Sequence, residues 1–153
     1  MGSGDVYKRQ AWKLSGLGDK GYKLVLAGGR GWKFDLTDTI DRLDIGESVE
    51  DISPNHEQLC SLYANCFALL QPTLYEGFGL PLVEGMTFAK PIVTSNISSM
   101  PEIAGDAALL VDPEKPREIA DSIVQLATDS ELYKRLSENA ARRAGLFLSL
   151  IHI

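Results

Sequence analysis

The sequence predicts an α/β fold built on a parallel sheet, and three observations support this prediction. Short β-branched or apolar runs alternate with longer segments of helical period from residue 20 onward, which is typical of βαβ units. The chain has 153 residues, 44% of them apolar and 24% charged, which is enough for one domain with a hydrophobic core. A glycine-rich turn joins an apolar run to a helix start between residues 71 and 81, as expected where parallel strands end.

Two strands and two helices are predicted in the first half of the chain. The strands are residues 23–27 and the weaker run 49–52. Residues 34–43 lie between them and have helical period, because their apolar positions recur on one face. Asn55 then precedes a second helix, and Gln58 stands at the spacing of a capping box. The expected inward face of this helix consists of Leu59, Leu62, Tyr63 and Cys66.

Three strands and four helices are predicted in the second half, and the first of these helices starts at the glycine-rich turn. The strands are residues 67–70, 91–94 and 108–111, and a small helix around residues 101–104 separates the last two. Pro116 opens a longer helix, since proline is favoured in the first turn, and Ser130 is expected to cap the last helix. Their expected inward faces are Ile119, Ile123, Leu126 and Ala127 in the first of these helices and Leu132, Leu136 and Ala140 in the second.

The composition argues against several classes of protein. A net charge of -6 disfavours a surface that holds nucleic acid or anionic lipid by charge alone, because both need a basic face. No apolar run approaches the roughly 20 residues that a membrane span needs, and the N-terminus lacks the apolar core of a signal peptide. Cys60 and Cys66 lie six positions apart across a predicted helix, so we expect reduced core thiols. These features favour a cytoplasmic protein.

Residues 76–84 carry the side chains expected to take part in chemistry. Glu76 and Glu84 stand eight positions apart across a glycine-rich turn from strand to helix. Ligands of parallel α/β sheets bind outside the carboxyl ends of the strands, where such a turn lets backbone N–H groups approach a phosphate. We expect Glu76 to lie in the loop and to accept hydrogen bonds from sugar hydroxyls. Glu84 is expected in the first turn of the helix, where it would accept hydrogen bonds from a ribose.

This segment resembles the Glu-x7-Glu motif of retaining GT-B glycosyltransferases of the family 4, or glycosyl transferases group 1, type. Other segments resemble the same family, in the same order, from about residue 20 to residue 143. They are residues 24–32, 72–81, 90–96, 101–108 and 110–113. A set of matching segments in the same order is far more specific evidence for the family than two glutamates alone. The resemblance implies the donor-binding C-terminal domain of such an enzyme, with a Rossmann-like, doubly wound parallel sheet and helices on both faces.

The resemblance also implies a role for each residue of the motif. Glu76 would be the catalytic residue that hydrogen-bonds the transferred hexose, and Glu84 would hold the ribose of a UDP-, GDP- or ADP-sugar. The donor's sugar and phosphates would bind the main chain of Gly77, Phe78, Gly79 and Leu80. Transfer would proceed with retention at the anomeric carbon, and positive charge and helix N–H groups would stabilise the leaving diphosphate. The family generally requires no metal, and no cofactor is implied.

Other residues near the predicted strands have ordinary structural interpretations. The ring of Phe78 is expected to wedge the loop against the core rather than to contact ligand. Trp12 is expected to pack rather than to stack on sugar, and His56 to be a surface residue. Gly28 and Gly29 fit the end of a strand and a place in the donor cleft equally well.

The sequence departs from the family pattern at the start of the domain. The family opens this domain with a strand that lies centrally in the sheet, between the strands matched here by residues 23–27 and 67–70, and with an arginine and a lysine that face the diphosphate. Neither feature is matched. The N-terminal GT-B domain, which supplies the acceptor site and often attaches peripherally to membranes, is also unmatched and would be a partner of this chain. We therefore expect weak donor binding and no transfer by the chain alone, since each lost charge-assisted contact costs about 1.5–3 kcal/mol.

The two ends of the chain differ from the part that resembles the family. Residues 5–10 and 148–153 resemble translated sequencing-adaptor read-through, which suggests a gene cut at both ends. We therefore divide the chain into a foreign or remnant segment at residues 1–19, the nucleotide-sugar-binding domain at residues 20–145 and a foreign tail at residues 146–153.

Two other functions fit part of the pattern. A nucleotide-sugar-binding module without chemistry would bind donor weakly and stay inactive even when joined to an N-terminal partner domain. A GT-B-like nucleotide-sugar epimerase would use the same crevice of a doubly wound fold. A dehydrogenase is disfavoured, because no Gly-x-Gly-x-x-Gly fingerprint follows the first recognisable strand.

Overall fold

The computed structural model describes residues 2–28, 44–74 and 78–150, and the strands in these ranges all pair in parallel. The strands are β1 (Leu24–Ala27), β2 (Val49–Ile52), β3 (Leu69–Gln71), β4 (Ile92–Ser95) and β5 (Ala108–Val111). The α-helices are α1 (Gly2–Ser15), α2 (His56–Asn65), α3 (Leu80–Thr87), α4 (Met100–Ala104), α5 (Pro116–Thr128) and α6 (Ser130–Ala144). Short 3-10 helices lie at Leu17–Lys20, Gly46–Ser48, Gly105–Ala107 and Gly145–Leu150. None of the described helices has the length and apolar character needed to cross a membrane.

The described strands form two parallel sheets. In one, β1 pairs with β2, with Leu24 opposite Val49. In the other, β4 lies between β3 and β5, with Ile92 opposite both Leu69 and Ala108. Within the described ranges β1 and β3 belong to separate sheets.

Strand β4 is buried on both faces, as a parallel strand is when helices cover both sides of its sheet. Its successive side chains point in opposite directions. Val93 packs into a core that receives side chains from α1, α5 and α6, whereas Ile92 packs into a second core with α3, α4 and the end of α6. The predicted doubly wound arrangement, with helices on both faces of a parallel sheet, is therefore confirmed.

Strand β3 begins two residues later than predicted. Phe67, which was expected to open it, is 39% exposed, and its ring contacts Tyr22 at 5.4 Å and Tyr133 at 4.6 Å between centroids. The Tyr133 hydroxyl donates a hydrogen bond of 2.6 Å to the Phe67 carbonyl. A side chain therefore satisfies this carbonyl, and the chain joins the sheet only from Leu69.

The predicted capping box of α2 is confirmed. The Gln58 N–H donates to Asn55 Oδ1 over 2.8 Å, and the Asn55 N–H donates to Gln58 Oε1 over 2.9 Å. Tyr63 is buried on the inward face of this helix, while the other predicted inward residues, Leu59, Leu62 and Cys66, are half-buried. Cys60 and Cys66 are both free thiols.

The N-cap of α6 is Asp129, and the prediction of Ser130 was wrong. The Leu132 N–H donates to Asp129 Oδ1 over 3.0 Å, and the Asp129 N–H donates to the Gln125 carbonyl over 2.9 Å. One residue therefore ends α5 and begins α6. Asp129 alone takes the extended backbone, with φ -117° and ψ 93°, that the junction requires, whereas Ser130 is already helical. The inward face predicted for α6 is confirmed, because Leu132, Leu136 and Ala140 are buried.

Replacing Asp129 with alanine is expected to lower the free energy of unfolding by about 1 kcal/mol, because the Leu132 N–H loses its acceptor. Ser130→Ala, one position along, is expected to change it by less than about 0.5 kcal/mol. Urea unfolding of both variants measures the two values. Equal losses would contradict the assignment of the cap to Asp129.

Helix α1 packs against α5 and contributes Ala11 and Trp12 to the first core. The Trp12 Nε1–H donates to Ser48 Oγ over 2.8 Å, so the indole packs as predicted. Arg9 is 2% exposed; burial lowers the pKa of its guanidinium, while Asp5 and Asp51 oppose that effect. Residues within the predicted segment 1–19 thus pack with the rest of the described chain.

Candidate functional site

The loop that carries the predicted site leaves the sheet at the carboxyl end of β3. Two hydroxyls of the neighbouring strand β4 hold its start: Thr94 Oγ1 donates to the Gln71 carbonyl over 2.8 Å, and Ser95 Oγ donates to the Thr73 carbonyl. Both donors are fully buried. The direction in which the chain leaves β3 is therefore set by side-chain hydrogen bonds that do not depend on ligand.

Thr73 adds a polar group that the sequence analysis did not single out. Its Oγ1 is buried and has no hydrogen-bond partner in the part of the chain that the structure describes. A buried hydroxyl without a partner is costly.

Gly79 makes the turn from this loop into α3. Its backbone is left-handed, with φ 78° and ψ 44°, and a Cβ at this position would lie 2.7 Å from Cε of Met100. Both the dihedral angles and the close approach favour glycine. The N-cap of α3 is Gly79, which has no side chain to cap the first turn, and Pro81 occupies the second position. The amino-terminal end of α3, where backbone N–H groups favour anions, thus receives no cap from its N-cap residue.

Phe78 and Leu80 flank this turn with exposed apolar side chains. They are 42% and 44% exposed, and the ring of Phe78 meets that of Phe147 edge-on at 6.2 Å. The expectation that Phe78 wedges the loop against the core was therefore wrong. The ring of Phe78 lies on the surface against Phe147 of the C-terminal 3-10 helix.

Glu84 lies in the second turn of α3, not in the first turn as predicted, because the helix begins at Leu80. Its side chain is half-buried, whereas its neighbours Val83 and Gly85 are buried. Helix and strand approach closely at Gly85, where a Cβ would lie 3.0 Å from Cδ2 of Leu69. The backbone that carries Glu84 is thus held tightly against the sheet.

Tyr63 of α2 packs against Phe88, the C-cap of α3. Burial raises the pKa of the Tyr63 hydroxyl, and the nearby carboxylate of Glu84 raises it further. From the sequence, Tyr63 was expected only on the inward face of a helix. Its spacing along α2 could not reveal a contact with a helix that follows in the chain.

The structure describes some of the other predicted site residues and not all of them. Glu76 and Gly77 lie outside the described ranges, so their roles stay predictions. Gly28 ends β1: its N–H donates to the Ile52 carbonyl over 3.1 Å, and its carbonyl accepts from Ser53 Oγ over 3.0 Å. These hydrogen bonds are consistent with the interpretation of Gly28 as the residue that ends the strand. The described residues include no group of three or more metal-ligating side chains.

Comparison with known protein families gives a match over most of the chain. The sequence model described as "Glycosyl transferases group 1" matches residues 10–143. This match begins ten residues before the domain boundary predicted at residue 20.

Two curated relatives are mannosyltransferases by name. The O-antigen chain mannosyltransferase B of Escherichia coli is 39% identical over 111 residues, which are 71% of this chain and 29% of that protein. The MMP alpha-(1->4)-mannosyltransferase of Mycolicibacterium hassiacum is 37% identical over 69% of this chain and 26% of that protein. The chain thus spans less than a third of the length of either relative.

Solved structures with the same fold include two bacterial proteins. The C-terminal domain of a glycosyl transferase group 1 family protein (LpcC) from Francisella tularensis superposes with a TM-score of 0.81 at 22% identity, over 94% of this chain and 78% of that one. Alr3699/HepE of Anabaena, solved in complex with UDP, superposes with a TM-score of 0.79 at 22% identity, over 92% of this chain and 40% of that one. These likenesses establish the fold.

Proposed function

The chain belongs to the glycosyl transferases group 1 family, and from this premise we propose that it is the donor-binding part of a retaining hexosyltransferase. The intact enzyme would move a hexose from a nucleoside diphosphate sugar to a glycan, lipid or small-molecule acceptor. One observation carries the proposal: Glu84 stands half-buried on α3, the helix that follows the loop at the carboxyl end of β3. Ligands of parallel α/β sheets bind at this edge.

We propose mannose as the transferred hexose. The support is that relatives 39% and 37% identical to this chain are named as mannosyltransferases. The name of the first of these relatives also places its product in an O-antigen chain. A role for this chain in cell-envelope polysaccharide synthesis is the corresponding proposal.

In the proposed mechanism, residues of the loop and of α3 bind different parts of the donor. Glu76 would accept hydrogen bonds from hydroxyls of the hexose, and Glu84 from those of the ribose. The main chain of residues 77–80, at the start of α3, would donate to the sugar and the diphosphate. Donors aimed at developing charge lower the barrier, because they stabilise the leaving diphosphate more than the bound ground state. In this proposal the positive end of α3 would stabilise the leaving diphosphate.

The rest of the enzyme would supply the acceptor. The chain spans 29% and 26% of its two relatives, and we propose that an N-terminal GT-B domain completes the cleft. The chain alone would bind donor weakly and would not transfer sugar. A transfer assay with the chain alone, and then with such a domain added, separates an incomplete enzyme from a module that only binds.

Glu84→Gln is expected to weaken nucleotide binding by about 10- to 100-fold, because the ribose loses a charged acceptor that is worth roughly 1.5–3 kcal/mol. Calorimetric titration of the 153-residue chain with UDP, GDP and ADP, and with their mannose conjugates, measures this loss. Glu131→Gln is the matched control, because it removes the same charge from an exposed position in the first turn of α6.

The result expected is that one nucleotide binds, that Glu84→Gln loses it and that Glu131→Gln retains it. That pattern would also identify the nucleotide base. If the folded chain, checked by circular dichroism, bound none of the three nucleotides, the proposal of a donor site would be wrong. Equal weakening by the two variants would assign the effect to net charge and not to contact with the ribose.

A further inference from the structure

We infer that Arg143 is a positioning residue for the turn at residues 78–80, whose main chain would bind the sugar and diphosphate of the donor. The inference deepens the proposed function and rests on the role proposed there for this turn. It is carried by side-chain contacts that lead from the end of α6 to the start of α3 by two routes. Arg143 itself is not expected to touch the donor.

The guanidinium of Arg143 binds the carboxyl end of α4. Arg143 is half-buried in the last turn of α6, where Ala140 and Ala144 pack into the second core with side chains of α3. Its Nε–H donates to the Ile103 carbonyl over 2.6 Å, and its Nη2 donates to the Glu102 carbonyl. One side chain on a well-packed helix thus holds two consecutive carbonyls of α4.

Helix α4 needs such support because it is short. It spans only Met100–Ala104, and a helix of this length is unstable in isolation, since nucleation is costly. The last carbonyls of a helix have no partner within it, and basic side chains commonly supply donors to them. Arg143 does so for Glu102 and Ile103. The position of α4 therefore depends on Arg143.

Helix α4 in turn supports the turn at Gly79. Met100 and Ile103 are buried, and a Cβ at Gly79 would lie 2.7 Å from Cε of Met100 and 3.3 Å from Cδ1 of Ile103. The main chain of the turn thus lies directly on side chains of α4. Because packed interiors transmit displacements, a shift of α4 would move the N–H groups at the start of α3.

A second route joins Arg143 to the same turn. Its Cζ lies 5.9 Å from the centroid of the Phe147 ring, within the range of a cation–π contact. The Phe147 ring meets that of Phe78 edge-on at 6.2 Å, and Phe78 directly precedes Gly79. Both routes therefore begin at Arg143 and end at adjacent residues of the turn.

The position of this turn matters because its proposed contacts with the donor are made by main-chain N–H groups. Hydrogen bonds weaken steeply away from their preferred distance and angle. A backbone that is in place before the donor arrives also avoids the entropic cost of being ordered by it. Loss of the Arg143 contacts is therefore expected to weaken binding of the diphosphate and to spare the contact proposed between Glu84 and the ribose.

The test uses Arg143→Lys, which keeps the positive charge but cannot reproduce the planar fork of donors. Amide NMR spectra without nucleotide report the position of the turn directly. We expect the signals of Gly79 and Leu80 to shift and those of β1 and β2, in the other sheet, to stay in place. Arg142→Lys is the matched control, because Arg142 is exposed and bonds the side chain of Asn139 instead. It is expected to leave both sets of signals unchanged.

Titration followed by the same spectra measures the consequence for the donor. The probes are the ribonucleoside diphosphate that binds best among UDP, GDP and ADP, and the matching ribonucleoside, which keeps the ribose but has no phosphate. Arg143→Lys is expected to bind the diphosphate about three- to tenfold more weakly, as for the loss of one hydrogen bond. Binding of the ribonucleoside is expected to be unchanged, and Arg142→Lys is expected to bind both probes normally.

Phe147→Leu gives a second test that does not depend on the folding of Arg143→Lys. It interrupts only the route through the half-buried Phe147 ring. We expect the signals of Phe78 and Gly79 to shift and the diphosphate to bind about two- to tenfold more weakly, as for the loss of one aromatic pair. An unchanged affinity for the diphosphate in this variant would overturn the inference.

The outcomes separate this inference from the proposed function. If folded Arg143→Lys leaves the signals of Gly79 and Leu80 in place, binds the diphosphate normally or weakens both probes equally, Arg143 has only a structural role and the inference is overturned. The proposed donor site then still stands, provided that the unmodified chain binds the nucleotide and Glu84→Gln does not. If the unmodified chain binds no nucleotide, the donor site itself is wrong and the inference fails with it.

Discussion

Leu82→Ala is expected to lower the free energy of unfolding by about 2–5 kcal/mol, because it removes a fully buried side chain and leaves a cavity. Leu82 has no exposed surface and packs in the second core, where α3 meets α4 and β4. Globular domains of this kind are stable by only about 5–15 kcal/mol. The loss would therefore be a large part of the total free energy of unfolding. It would destabilise the packing of the helix that carries Glu84.

Equilibrium unfolding in urea measures this loss, and Leu80→Ala is the matched control. Leu80 begins the same helix, two residues earlier, but is 44% exposed. The same change at this position is expected to alter the free energy of unfolding by less than about 0.5 kcal/mol. A loss at Leu82 as small as that at Leu80 would show that α3 does not pack into the core as described.

Gly105→Ala is expected to cost about 2–5 kcal/mol, the sum of backbone strain and lost hydrogen bonds. Gly105 has φ 55° and ψ -127°, a conformation that is rarely open to residues with a Cβ. A Cβ there would lie 2.6 Å from Nη1 of Arg143, and closer still to its Nε and Cζ atoms. The guanidinium would have to move, and it would give up its hydrogen bonds to the carbonyls of Ile103 and Glu102.

Two comparisons separate the strain from the lost hydrogen bonds. Gly16→Ala places a Cβ at a residue with φ 69° and open space around it, so it is expected to cost only about 1 kcal/mol. In an Arg143→Ala background, Gly105→Ala is expected to cost less than in the unmodified chain, because the hydrogen bonds are already gone. Equal costs in both backgrounds, measured by urea unfolding, would exclude Arg143 from the effect.

Much of the fold could be predicted because its elements are encoded by residues close together in the chain. The runs at Val49–Ile52 and Ala108–Val111 coincide with β2 and β5. The Asn55 and Gln58 side chains form their capping box within a single turn of helix. The inward face of α6 follows from its apolar spacing alone. In each case the interaction that decides the structure spans only a few positions.

The failed predictions involve choices that local sequence leaves open. Asp129 and Ser130 are both good N-caps, and the length of the junction between α5 and α6 selects the first. Phe78 is apolar and could have been buried, but its ring is exposed and meets that of Phe147, which is far from it in the sequence.

The sequence by itself determined the fold class, the places of most strands and helices, and the family, because periodicity, caps and motif spacing are properties of neighbouring residues. Only the tertiary structure decided which side chains from distant segments meet. Arg143 reaches the Ile103 carbonyl across 40 positions, and Tyr63 of α2 stacks on Phe88 at the end of α3. Such contacts depend on how whole elements are oriented around a shared core, so the surroundings of Glu84 became visible only after the helices were packed.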